Sequence, residues 1–150
     1  MKDSKSQNIH ATCISLDGLG LLLRGPSGCG KSDLALRMME NNSQLIADDW
    51  VDLALEGGVL IAQAPSRLRG LLEVRGVGVI EVPFSISIQV LGVIDLVDSN
   101  KIQRLPDHRT EMLLGVELPS YQLNPWGASA IAKVQLVSGL ISGSIVRNDD

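Results

Sequence analysis

Gly25-Pro26-Ser27-Gly28-Cys29-Gly30-Lys31-Ser32 is the stretch on which the fold turns. It satisfies every defined position of G-x-x-x-x-G-K-[ST], and its flanks read as a strand before it and a helix after it. Glycines allow successive backbone N–H groups to turn inward and face anionic oxygens. A helix opening near Lys31 adds free N–H donors and the positive end of its dipole. In that setting Lys31 is expected to act as a mobile cation for the outer phosphates of a nucleotide, and Ser32 as a hard oxygen ligand for Mg²⁺. Cys29 lies inside the same loop and reads either as a reactive thiol that nucleotide shields or as a filler at a variable loop position.

Upstream, His10–Leu16 and Leu19–Arg24 are strand-like runs around Asp17-Gly18, a strong hairpin signal. Downstream, Leu34/Met38 and Ala35/Met39 recur at i,i+4, which predicts a helix that Asn41-Asn42 closes. Leu45–Ala47 reads as a short strand running into Asp48-Asp49. Val51–Leu55 and Val59–Ala64 flank Glu56-Gly57-Gly58 as a second hairpin, and Val77–Val82 and Ile86–Leu96 are further β-branched runs. Pro125–Leu140 is predicted to be a helix with Asn124 as cap and Pro125 in its first turn. Strands outnumber helices, so the expected fold is an α/β domain with a mixed sheet.

Composition sets the outer limits. The 150 residues suit one domain, expected to occupy residues 9–147 between polar ends at 1–8 and 148–150 that read as disordered tails. Apolar residues make up 45% of the chain and only Trp50, Phe84, Tyr121 and Trp126 are aromatic, so the core must be aliphatic. The net charge is −4 with dispersed basic residues, and with so few aromatics a run of stacking platforms for a nucleic-acid strand is not expected. Neither a nucleic acid nor a membrane is therefore an expected partner. No apolar run approaches the roughly 18 residues of a membrane span, and Met1–Asn8 lacks a secretory signal, so a cytoplasmic protein is expected. Cys13 and Cys29 read as reduced thiols rather than a disulfide or zinc site.

Phosphoryl chemistry on a bound nucleotide also needs carboxylates, for the metal and for the attacking hydroxyl. Two places compete: Asp48/Asp49 and Asp95, each at the end of an apolar run. Two adjacent like charges suit one of the pair to accept a proton. Taken alone, His10 and Glu73 carry little signal, as a histidine at a strand head and a surface glutamate.

Four features in order resemble the C-terminal catalytic domain of HPr kinase/phosphorylase. They are His10 before the hairpin, Gly25–Ser32, Leu45-Ile46-Ala47-Asp48-Asp49, and Leu72-Glu73-Val74-Arg75-Gly76-Val77-Gly78-Val79-Ile80-Glu81-Val82. The likeness is close from His10 to Val82 and looser beyond. It implies the phosphoenolpyruvate carboxykinase-like version of the P-loop fold and an ATP- and Mg²⁺-dependent kinase acting on a serine of the phosphocarrier HPr. It also implies a homo-oligomer, usually a hexamer. By the same resemblance Asp49, with Asp48 beside it, would accept the serine proton next to His10. Lys31 would neutralise the transferring group, Ser32 and Glu73 would hold Mg²⁺, and Arg104 would match a functional arginine.

Two departures modify that expectation. The family's long N-terminal domain is expected to be absent, as in the truncated single-domain versions that this chain resembles. Where bifunctional members carry a Pro-Gly-Arg-Asn-like stretch linked to phosphorolysis, this chain has Pro125-Trp126-Gly127-Ala128-Ser129. Without that arginine, kinase activity with weak or absent phosphorylase activity is expected. A P-loop kinase of small metabolites is an alternative, though Arg67, Arg69 and Arg75 are the only basic cluster available for its lid. A non-catalytic, nucleotide-dependent regulator is another.

Overall fold

The computed structural model describes residues 5–149. In chain order the strands are β1 (Ser6–His10), β2 (Thr12–Leu16), β3 (Leu19–Arg24), β4 (Ser43–Ala47), β5 (Trp50–Glu56), β6 (Val59–Gln63), β7 (Leu71–Val74), β8 (Gly78–Glu81), β9 (Ser87–Leu96), β10 (Thr110–Leu113) and β11 (Val116–Leu123). The α-helices are α1 (Lys31–Met38) and α2 (Ala130–Ser142). Nine strands form one mixed sheet along the path β1-β5-β6-β9-β3-β2-β4, with β11 on β9 and β10 on β11; β7 and β8 make a separate hairpin. Among the described strands, β3–β9 and β9–β11 pair in parallel, and Leu45 and Phe84 form an isolated parallel bridge.

Period-2 alternation explains the two cores. Ile14, Leu16, Leu21, Leu23, Ile94 and Leu96 face α1 and α2, whereas Cys13, Leu22 and Val93 face the opposite way, toward residues of β5 and β6. Strand β3 is buried on both faces, which is why it reads as an unbroken Leu run. Gly92 lets α2 lie close on β9, since a Cβ there would sit 2.5 Å from Ile141 Cδ1. Burial pushes the Cys13 thiol well above its ordinary range, consistent with an inert packing residue.

The Asp17-Gly18 hairpin forms as expected, with φ of 52° and 80° at its two central residues. Helix α1 follows the glycine-rich loop, and Asn42, at φ 65°, closes the short helical extension after it. Several expectations need correction. Ser6–Asn8 are not frayed: they pair with β5, and Asn8 Nδ2 donates to Asp52 Oδ1 at 2.7 Å. This polar edge strand gains its order from the neighbouring ladder rather than from apolar pattern. The other terminal positions assigned to tails, 1–4 and 150, lie outside the described residues.

The run His10–Leu16 is two strands, broken at Ala11, whose N–H donates to Asp49 O at 3.1 Å. The C-terminal helix starts at Ala130, not Pro125. Asn124 Oδ1 accepts the Trp126 N–H at 2.9 Å, so Asn124 closes a turn instead of capping a helix. Strands β10 and β11 carry no clear alternating signal and were not expected.

Candidate functional site

Strand β3 ends at Arg24, and the loop Gly25–Gly30 hands the chain to α1. Gly25, Gly28 and Gly30 hold φ of 156°, 82° and 105°. The loop is tightly filled: a Cβ on Gly25 would sit 2.5 Å from Cys29 Sγ, and one on Gly30 would meet the rings of Trp126 and Pro125. Gly30 is also the N-cap of α1 and makes no side-chain cap hydrogen bond, which suits a helix start that offers its N–H groups to an anion. The Lys31 side chain folds back over this loop. Its ammonium donates to Gly25 O at 2.6 Å and Pro26 O at 3.2 Å, and the residue is only 5% exposed. The expected mobile cation is therefore a docked one, held by the carbonyls of the loop it serves.

Strand β4 carries the acids to the same place. Asp48 is buried, and its Oδ1 accepts from Ser32 Oγ at 2.6 Å and from Thr12 Oγ1 at 3.1 Å. Its Oδ2 accepts the backbone N–H of Glu73 at 3.1 Å. One residue later the chain turns at φ 69°, so Asp49 faces outward, where its Oδ1 lies 2.7 Å from His10 Nε2. Trp50 tilts against the His10 ring with centroids 5.2 Å apart. The tertiary fold thus brings His10, Lys31, Ser32, Asp48, Asp49 and Glu73 into one region built from β1, α1, β4 and β7.

Two candidates stay apart from that cluster. Asp95 is engaged by Arg24, which donates from Nε at 2.9 Å and from Nη2 at 3.1 Å, and Arg24 also pairs with Glu111. Burial opposes the Arg24 charge, but its hydrogen bonds to Glu111 and Asp95 outweigh that and raise its pKa. This ion-pair role replaces the metal role considered for Asp95. Arg104 is exposed in segment 102–109, and no hydrogen bond or ion pair among the described residues ties it to the cluster.

Two residues with no assigned role do reach the site. The Arg75 guanidinium would lie 3.4 Å from a Cβ on Gly28, which sets a second cation over the loop. Thr12, fully buried, donates to Asp48 and accepts the Asp49 N–H at 3.3 Å, joining the two acids through one hydroxyl. A single threonine in a strand gives no sequence signal of this kind.

No three acidic, histidine or cysteine side chains form a ready cation cage among the described residues. The donor set nevertheless fits Mg²⁺, which keeps several waters and takes few protein ligands beside substrate phosphates. Ser32 Oγ and Asp48 Oδ1 lie 2.6 Å apart, and the backbone of Glu73, an exposed residue, reaches the same carboxylate. Among the described residues no helix is long and apolar enough to cross a membrane.

Fold and site together define a mixed α/β domain whose glycine-rich loop opens a helix against two strand-end aspartates. The chain belongs to the HPr Serine kinase C-terminal domain family, whose sequence profile matches residues 2–134. It is 35% identical over 130 residues to an HPr kinase/phosphorylase of Chlorobium phaeobacteroides, covering 78% of this chain and 40% of that one. An HPr kinase/phosphorylase of Malacoplasma penetrans is 36% identical over 132 residues, covering 80% and 44% respectively. The chain therefore spans less than half the length of these relatives. The solved structure of the Hpr(Ser) kinase/phosphatase from Coxiella burnetii superposes with a TM-score of 0.83 at 28% identity, over 92% of this chain and 98% of that one.

Proposed function

We propose that this chain is an ATP-dependent protein-serine kinase that phosphorylates an HPr-type phosphocarrier and so regulates a phosphotransferase system. The observation that carries the reading is the continuous chain of contacts from Ser32 through Asp48 and Thr12 to Asp49 and His10. It links a glycine-rich anion cradle to an outward-facing carboxylate, the two halves that phosphoryl transfer to a hydroxyl requires.

In this reading the loop amides and the Lys31 ammonium bind the phosphates and absorb charge as it develops. Ser32 and Glu73, with Asp48 beside them, would hold Mg²⁺, which would supply charge neutralisation at the phosphates. Asp49 accepts the proton of the incoming serine, while His10 fixes the orientation of that carboxylate. Buried and triply hydrogen-bonded, Asp48 is the metal-side acid; Asp49, which is outward-facing, is the base. Arg104, exposed in segment 102–109, keeps in this reading the functional role that the resemblance gives it. Most of the rate enhancement is positioning and electrostatics.

Phosphorolysis is proposed to be weak, because the stretch 125–129 carries no arginine to bind inorganic phosphate. Homo-oligomeric assembly, a hexamer by resemblance, and a cytoplasmic setting belong to the same reading. Purified protein should transfer label from γ-labelled ATP to an HPr-type phosphocarrier in the presence of Mg²⁺, with the label lost when the acceptor serine is replaced by alanine. Binding of ATP without transfer to any such carrier would instead favour the regulator.

A further inference from the structure

The turn that carries Trp126 is pinned against the start of α1. The Trp126 N–H donates to Asn124 Oδ1 at 2.9 Å, and Arg37 Nη2 donates to Pro125 O. Arg37 Nε also donates to Asp33 Oδ2 at 2.9 Å, which ties the turn to the first helical turn. At the far end of this brace the indole edge rests on Gly30, where a Cβ would lie 2.9 Å from Cζ2 and 3.2 Å from Cη2. A side chain at position 30 would displace the ring. Trp126 is nevertheless 61% exposed, although the chain has only four aromatic residues. A large indole held in a fixed turn beside an anion cradle, with most of its surface open, is a preformed platform.

We infer that Trp126 stacks on the purine ring of the bound nucleotide. The inference rests on the nucleotide reading above and deepens it. Strands β3, β9 and β11 run parallel, so the loop 25–30 after β3 and the 124–126 turn after β11 leave the same sheet edge, with Asp48 and Asp49 after β4 on the opposite flank of that loop. A nucleotide whose outer phosphate meets those acids has its base on the Trp126 side. Stacking on an indole face uses the π surface that every base offers and demands no hydrogen-bond pattern. The site should therefore accept guanine as well as adenine. A polyphosphate without a base gains nothing from the ring.

Calorimetric titration of Trp126→Ala and Trp126→Phe with Mg-ATP and with Mg-tripolyphosphate tests this. Trp126→Ala should bind ATP roughly five- to fiftyfold more weakly, Trp126→Phe should keep most of the affinity, and all three proteins should bind tripolyphosphate alike. Equal losses for both ligands, or no loss for ATP, would overturn the inference. A change in sedimentation with ATP affinity intact would assign Trp126 to a contact between chains and overturn it too. If the parent protein binds neither ligand, the phosphate-loop reading itself fails.

Discussion

Asp48 and Asp49 are neighbours in sequence yet face opposite ways: the first is buried beneath the Ser32 hydroxyl, and the second reaches out to His10. The left-handed turn at Asp49, φ 69°, makes the division. A non-glycine residue in that conformation is strained by about 1 kcal/mol, and its hydrogen bonds hold it there. The Thr12 hydroxyl receives the Asp49 N–H, and Ala11 donates to the Asp49 carbonyl. Two identical side chains thereby acquire different surroundings and, in the proposed mechanism, different tasks.

Asp49→Asn should lower transfer to the phosphocarrier by about 10²–10⁴-fold, the range of a lost general base, with ATP affinity nearly unchanged. Asp48→Asn should instead raise the Mg²⁺ concentration needed for nucleotide binding. Titrating Mg²⁺ at fixed ATP for both variants separates the roles. Interchanged outcomes would reverse the assignment.

Lys31→Ala should abolish transfer, because transition-state charge loses its nearest cation. The Gly25 and Pro26 carbonyls also lose their shared donor. A modest fall in melting temperature should accompany the lost activity, and circular dichroism should confirm a folded protein.

Thr12→Val removes a fully buried hydroxyl while nearly preserving shape, and leaves the Asp49 N–H without its partner. The expected cost is about 1–3 kcal/mol of stability. The turnover number should fall while the phosphocarrier KM holds, and Thr12→Ser should restore both. Turnover unchanged in Thr12→Val would reduce Thr12 to a packing residue.

Asp95→Asn should cost about 1–2 kcal/mol of stability by weakening the Arg24 pair, which is only partly exposed. Mg²⁺-dependent nucleotide binding should stay at the parental value. Chemical denaturation alongside nucleotide titration checks both halves.

Incubating seryl-phosphorylated phosphocarrier with inorganic phosphate should release little pyrophosphate. Efficient release would show that another cation replaces the missing arginine. Arg75, placed over Gly28, is the one to mutate next.

Local chemistry was legible in the chain. Glycines at fixed spacing, a lysine and a serine after them, Asp-Gly and Gly-Gly turns and period-2 apolar runs encode their own geometry, because each depends on neighbours within a few positions. The polar strand β1 was not legible, since an edge strand is ordered by the ladder it joins. Strand β11 was missed because Pro119 and polar residues mask its alternation. Asn124-Pro125 resembled a helix start because an Asx turn uses the same residues as a cap.

The sequence by itself determined the mixed α/β class, the glycine-rich loop between a strand and a helix, and the aspartate pair at a strand end. Only the tertiary structure decided which aspartate is buried, that Arg24 claims Asp95, that Thr12 bridges Asp48 and Asp49, and that Trp126 lies on Gly30. Those outcomes depend on contacts between residues from 16 to 96 positions apart. Such contacts exist only once the sheet and α1 have packed, and no local pattern of residues encodes them.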